Sequence, residues 1–325
     1  YTLSGARYEA AIAEALLYLT SDSVPRAQFL TGHGELGPEE TGALEALLRE
    51  SLFEVSRLDL ARGGVPDPDA LLFILSPQRD LSAGELRQIT DFAQAGGAML
   101  VTSDYGDPDS LPNFDALYRS LGFARKPGIV IADVDDAAAY ADNPLFLTPY
   151  MGMTEPTAPL IGAGQTLLRL PGARAFEAVD AQDAVVSPLL MSGFSYIKPV
   201  ARAEATLSRE GGEEEGQFNL ALLADKAHAN GNRTRAAVLG NSAILTDSWL
   251  HEVTYAAQFT RALADYLSPM DTIALDIPPK ALVRPQLSIP APWVPVLLIV
   301  LLPLSVTAAG AVLLVRRERR GHAAR

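Results

Sequence analysis

Ala70-Leu71-Leu72-Phe73-Ile74-Leu75 runs without a polar side chain and stops at Ser76-Pro77. A run this short and this apolar fits a strand covered on both faces, because a half-exposed strand would alternate with polar residues. The residues downstream support that reading. Ser82 and Glu85 have capping-box spacing, Leu86, Ile89 and Phe92 give a helical stripe, and Gly96-Gly97 ends it. Ala98 to Thr102 (AMLVT) is a second strand, closing in Ser103-Asp104. Upstream, the short apolar run Ala27 to Leu30 breaks at Thr31-Gly32-His33-Gly34-Glu35. Pro38, Glu39 and Glu40 then suit a helix first turn, with Leu44, Leu47, Leu48 and Leu52 as its buried face. Strands and helices alternating through short connections predict an α/β fold, a parallel sheet with helices on both faces.

Before this unit, Tyr8 to Thr20 carries Ile12, Leu16 and Leu19 at helical spacing. After Gly128 the alternation blurs. Ile129 to Ala132, Thr166 to Leu170, Ala175 to Val179, Val185 to Met191, Phe218 to Ala224 and Arg235 to Leu239 read as strands. Gly211-Gly212-Glu213-Glu214-Glu215-Gly216 reads as a solvated loop tip. Ala256, Phe259, Leu263, Tyr266 and Leu267 form the stripe of a closing helix, with His251 near its start and His228 in a turn.

The C-terminus has a different character. Ser268 to Pro292 holds prolines at 269, 278, 279, 285, 290 and 292, so it cannot be a helix interior and reads as an extended stalk. Trp293 to Val315 is 23 residues without a charge, followed by Arg316, Arg317, Glu318, Arg319 and Arg320. At about 1.5 Å per residue that length crosses a hydrocarbon core of roughly 30 Å, and Pro295 and Pro303 kink such a helix without excluding it. Arginines stay on the cytoplasmic side, which predicts a cytoplasmic tail over 316–325 and an extracytoplasmic domain over 1–267, joined through a stalk at 268–292 and a transmembrane helix at 293–315. The chain opens at Tyr1, already in an amphipathic pattern, so an upstream part with a signal or a first transmembrane helix is expected.

Net charge is −13, and the tail carries five arginines against Glu318, or +4, which leaves −17 on the rest. So acidic a surface argues against nucleic acid as a partner. With no cysteine, disulfides, thiolate metal sites and a cysteine nucleophile are all excluded. There is no P-loop and no G-x-S-x-G elbow, and no cofactor is expected. Asp133, Asp135 and Asp136 lack the glycine and the twelfth-position Glu of a calcium loop, so no metal is expected there.

In an open parallel sheet, ligands sit outside the carboxyl ends of the strands. Thr31, Gly32, His33, Gly34, Glu35, Ser76, Ser103, Asp104 and Asn241 close the strand runs and are expected to line one concave edge for a ligand or partner. His33 and Glu35 admit two readings. They could bind a metal or act as a base with its partner, or they could belong to a tight strand-to-helix turn that wants glycine for positive φ. In the turn reading Glu35 is exposed, and its removal costs at most about 1 kcal/mol.

The motif Phe29-Leu30-Thr31-Gly32-His33-Gly34-Glu35 resembles that of GldG-like auxiliary proteins of ABC transporters. The resemblance continues through Leu75 to Ser82, Ala95 to Val101, Ser187 to Ser192 with Tyr196-Ile197-Lys198, and Ala236 to Ser242. It implies a flavodoxin-like, glutamine-amidotransferase-like α/β domain. It also implies a non-catalytic, membrane-anchored companion of an ABC-2-type permease and its ABC ATPase. The chain departs from that pattern at Gly240-Asn241-Ser242, where the family carries an acidic residue after the glycine. Amidotransferases of this fold use a cysteine nucleophile, which is missing here. Two other functions stay open on the sequence, a membrane-anchored hydrolase using His33 and Glu35, and a carbohydrate- or lipid-binding module.

Overall fold

The computed structural model describes residues 24–133, 143–268 and 297–322. The helix expected over Tyr8 to Thr20, the stalk apart from Ser268, Asp135 and Asp136, Pro295 and the last three tail residues lie outside them.

The first strands follow the apolar runs: β1 (Arg26–Thr31), β2 (Glu54–Asp59), β3 (Ala70–Leu75) and β4 (Ala98–Thr102). β2 pairs parallel with β1, β1 with β3, and β3 with β4. All six residues of β3 are buried because the strand is covered twice. Leu71, Phe73 and Leu75 join one apolar core, while Leu72 and Ile74 join the other. Helix α1 (Pro38–Glu50) packs Leu44, Leu47 and Leu48 into the first core. Helices α2 (Ala83–Gln94) and α3 (Pro112–Ser120) pack Ile89, Phe92, Phe114 and Leu117 into the second.

Local chemistry sets the helix ends. Pro38 starts α1, and the Glu40 carboxylate reaches back to the Gly37 N–H at 3.0 Å. Ser82 and Glu85 form the expected reciprocal cap of α2, with Glu85 accepting from the Ser82 N–H at 2.7 Å. Leu52 does not extend the buried face of α1 as its spacing suggested. The helix ends at Glu50, and Leu52 turns the chain with φ +67° into the buried Phe53. β2 had no sequence signal because it is an edge strand with only Leu58 buried.

In the second half, strands β5 (Phe123–Arg125), β6 (Ile129–Ala132), β7 (Phe146–Leu147), β8 (Tyr150–Met151), β9 (Leu170–Pro171), β10 (Phe176–Ala178) and β11 (Ala184–Met191) precede β12 (Ser195–Lys198), β13 (Glu214–Gly216), β14 (Asn219–Ala227) and β15 (Arg233–Leu239). β15 lies parallel to β4 and so completes a parallel set in the order β2-β1-β3-β4-β15. β14, β10 and β5 then extend the sheet antiparallel, and β11 pairs with β14. The sheet is therefore mostly parallel at its centre and mixed overall. The strand expected over Thr166 to Leu170 is reduced to Leu170–Pro171.

β12 joins β6 and β13 in a separate three-stranded sheet. Its Lys198 is fully buried, with Nζ 3.4 Å from Glu210 and 3.3 Å from Glu213. Glu213 is therefore a buried partner, whereas the sequence placed it in a solvated tip. The closing helix, here α6 after the short α4 (Ala158–Gly162) and α5 (Val200–Ala203), spans Ala256–Leu267 and buries Phe259, Leu263 and Leu267 in the first core. His251 sits exposed in the turn before it.

The C-terminal unit is one π-helical turn, Leu297–Leu301, continuing into α7 (Leu302–His322). The wide turn falls just before Pro303, which has no N–H to donate. Ile299–Arg317 has a mean hydropathy of 2.1 with none of it buried, and it is long and apolar enough to cross a membrane. Ser305 and Thr307 donate to the carbonyls of Leu302 and Leu304, so neither hydroxyl needs water.

Candidate functional site

Because β1, β3, β4 and β15 are parallel, the residues that come after them share one end of the sheet. The structure gathers the nine expected residues there, but largely as a buried polar layer. His33, Ser76, Ser103 and Asn241 are buried, Thr31, Glu35 and Asp104 are partly covered, and only Gly32 and Gly34 are exposed. Most of the nine take part in a hydrogen-bonded layer.

At the β1 end, Gly32 has φ +114° and Gly34 has φ +81°, and a Cβ on Gly34 would stand 2.9 Å from the Gln78 Cβ. These glycines fold the chain so that the Glu35 carboxylate accepts from the His33 N–H at 2.7 Å and lies 3.2 Å from Nδ1. Nε2 of His33 is 3.3 Å from Glu85 of α2. Ionised carboxylates only accept, so both contacts are satisfied together when His33 is an imidazolium. The hydrogen bond to Glu35 accordingly raises the His33 pKa, against the opposing effect of burial. Neither ring nitrogen then has a lone pair to act as a base. The Glu35 side chain is only 1 % exposed, which corrects the expectation of an exposed turn carboxylate.

The His33 carbonyl accepts from the Gln78 and Arg79 N–H groups at 2.8 Å, tying the loop after β1 to the loop after β3. From Gln78 the network continues to Asp107 at 2.8 Å, which also accepts from Ser76 Oγ at 2.5 Å and from the Asp104 N–H at 2.8 Å. Asp104 accepts from the Ser242 N–H at 2.6 Å and from the Ser242 hydroxyl. Burial, with Asp107 nearby, pushes Asp104 up to about 6 despite those bonds. Asn241 donates to the Gly172 carbonyl and accepts from the Ile244 N–H at 3.2 Å.

A crossing segment covers this layer. The Arg174 N–H bonds the Gly240 carbonyl at 2.8 Å, and a Cβ on Gly240 would stand 1.9 Å from the Arg174 oxygen. Glycine is needed there for close approach, not for its φ. Arg174, only 1 % exposed, donates from Nε to the Asp104 carbonyl at 2.9 Å and from Nη2 to the Asp107 carbonyl at 3.0 Å. Asp107, Arg125 and Arg174 belong to this site and were not singled out by sequence. The one signal was Arg174 itself, a lone charge within the otherwise apolar Leu170 to Phe176.

Residues 25–133, the unit from β1 to the end of β6, match the family described as "ABC-type uncharacterized transport system". This stretch is similar to the ABC-transporter auxiliary family. The GldG-like resemblance is borne out, and the auxiliary family suggests a non-catalytic, transport-associated role. Among curated proteins none matches the chain. Among solved structures, the mmIFT52 N-terminal domain is similar at 17 % identity with a TM-score of 0.53, covering 75 % of this chain and 98 % of that one. That likeness shows a shared fold. The exo-β-1,4-mannosidase Op5Man5 from Opitutaceae bacterium strain TAV5 aligns at 15 % identity and TM-score 0.39, over 80 % of this chain and 39 % of that one. The cytoplasmic protein STM3548 from Salmonella typhimurium aligns at 11 % and 0.42, over 76 % and 99 %.

Proposed function

We propose that this chain is a non-catalytic, membrane-anchored auxiliary subunit of an ABC-2-type transporter, working beside its permease and its ABC ATPase. The family match over residues 25–133 carries this reading. The exposed apolar helix over Ile299–Arg317 supports an anchor, and the arginines beyond it support a cytoplasmic tail with the α/β domain outside. In this reading the domain occupies 1–267, the stalk 268–292, the span 293–315 and the tail 316–325. The strand order β2-β1-β3-β4-β15 supports a flavodoxin-like, amidotransferase-like core. The polar layer at the sheet end serves to fix its loops, and the exposed backbone at Gly32 and Gly34 is the part of that edge left for a partner. Purification of the full chain from solubilised membranes tests the reading. Permease and ATPase subunits should co-purify in fixed ratio, and a chain recovered alone under mild detergent would overturn it.

A further inference from the structure

Beside the buried layer, a pocket of about 210 Å³ is lined by Asp109, Asp115, Arg119, Arg125 and Arg174 together with Ala124 and Pro127. Its three arginines are in different states. Arg125 is consumed: it grips Asp115 through Nε at 2.8 Å and Nη2 at 3.2 Å, and Nη1 donates to the Pro108 carbonyl at 3.0 Å. Arg174 uses Nε and Nη2 on backbone carbonyls, and its Nη1 has no acceptor among the described residues. Among the described residues the one carboxylate within ion-pair distance of it is Asp109, 3.6 Å from Nη2 and itself 75 % exposed; the buried Asp107 acts on it through its charge, while its oxygens are taken by Ser76, Gln78 and the Asp104 N–H. Arg119 is exposed on α3 and has no acidic partner among the described residues. Desolvation lowers the Arg174 pKa and the neighbouring Arg125 charge adds to that, while Asp107 and Asp109 oppose it.

A guanidinium buried this deeply is normally matched by a carboxylate held just as firmly. Here the two residues with donors left over, Arg174 and Arg119, line one pocket. We propose that Arg119 and Arg174 bind a single small oxyanion there, a carboxylate or phosphate group, with Arg125 and its bound Asp115 fixing the wall. Two arginine forks suit such a group because each can present parallel N–H donors to two oxygens. Asp109, which lines the same pocket and lies 3.6 Å from Nη2 of Arg174, is the internal competitor. Such a site needs no transporter partner to form.

Calorimetric titration of the full chain in detergent with inorganic phosphate, and separately with succinate, tests the proposal and tells the two classes apart. Binding of either probe should weaken about fivefold or more in Arg119→Gln, the loss expected for one charged contact. It should be unchanged in Arg62→Gln, an arginine outside the pocket whose side chain is 88 % exposed. Asp109→Asn removes the competitor and should tighten binding, and it carries the test if Arg119→Gln fails to fold. No heat from either probe up to about 10 mM, where even weak single-site binding registers, would overturn the proposal. So would binding that neither pocket substitution alters.

Discussion

His33 and Arg174 are both buried cations at the same end of the sheet, and they are compensated in opposite ways. His33 lies between two carboxylates, Glu35 and Glu85, that are themselves well covered. Arg174 rests on backbone carbonyls, with one exposed carboxylate in ion-pair range and the charge of the buried Asp107, whose oxygens serve other donors, further off. Carbonyl dipoles satisfy geometry but leave the net charge in place, so the first site is closed and the second still attracts an anion. A residue's burial alone would not have separated them.

The sharpest way to break the comparison is Gly240→Ala. The added Cβ meets the Arg174 oxygen at 1.9 Å, backbone that no side-chain rotation can relieve. A loss on the order of 4 kcal/mol is expected in urea unfolding. Faster amide exchange should be confined to 172–175 and spare 31–35. Equal loosening of both stretches would mean that the two ends of the layer are one cooperative unit.

Glu35→Ala attacks the other side. It strands a buried imidazolium beside Glu85 alone, so the expected cost is about 3 kcal/mol, well above what an exposed turn carboxylate would give. The sign with pH comes from the raised pKa. The favourable contribution of His33 is complete below the ordinary histidine value and is lost as pH rises through the raised folded value. Glu35→Gln should bring the His33 titration, monitored by NMR, back toward that ordinary value. A titration already there in the unmodified chain would defeat the imidazolium assignment.

How much of this was legible depends on where each residue's partner lies. β3, β4, α2 and the TGHGE turn could be read because their signals are local: an apolar run, a capping box, and glycines at +114° and +81°. Helix α3 went unread because Leu111 cannot cap it. Its first N–H groups, at Asn113 and Phe114, are taken instead by Asp80, more than thirty residues away, at 3.1 Å. The second partner of His33 was invisible for the same reason, since it is α2 that delivers Glu85 to the far nitrogen of the ring. Arg174 could be noticed as a lone charge among apolar neighbours, but its partners, backbone carbonyls and a single exposed carboxylate in ion-pair range, exist only in three dimensions.

The smallest expected effect concerns Asp104, which lies between the two regions and belongs to neither compensation scheme. Burial holds its folded pKa at about 6, above the ordinary aspartate value of 3.8, so the unfolded chain ionises first. A folded pKa raised in this way makes the group's contribution unfavourable above pH 6. The deficit is relieved as pH falls from about 6 toward 3.8, and a shift of that size corresponds to about 3 kcal/mol at full ionisation. Asp104→Asn removes the deficit while keeping one acceptor for the Ser242 N–H, but it gives up charge-assisted strength in two bonds, so the net gain at pH 8 should be about 1 kcal/mol. That gain should shrink as unfolding is repeated at lower pH and vanish near pH 3, where folded and unfolded Asp104 are both largely protonated. A loss at pH 8 would instead mean that Ser242 and the surrounding N–H groups hold the ionised carboxylate firmly, making Asp104 a compensated charge of the His33 kind.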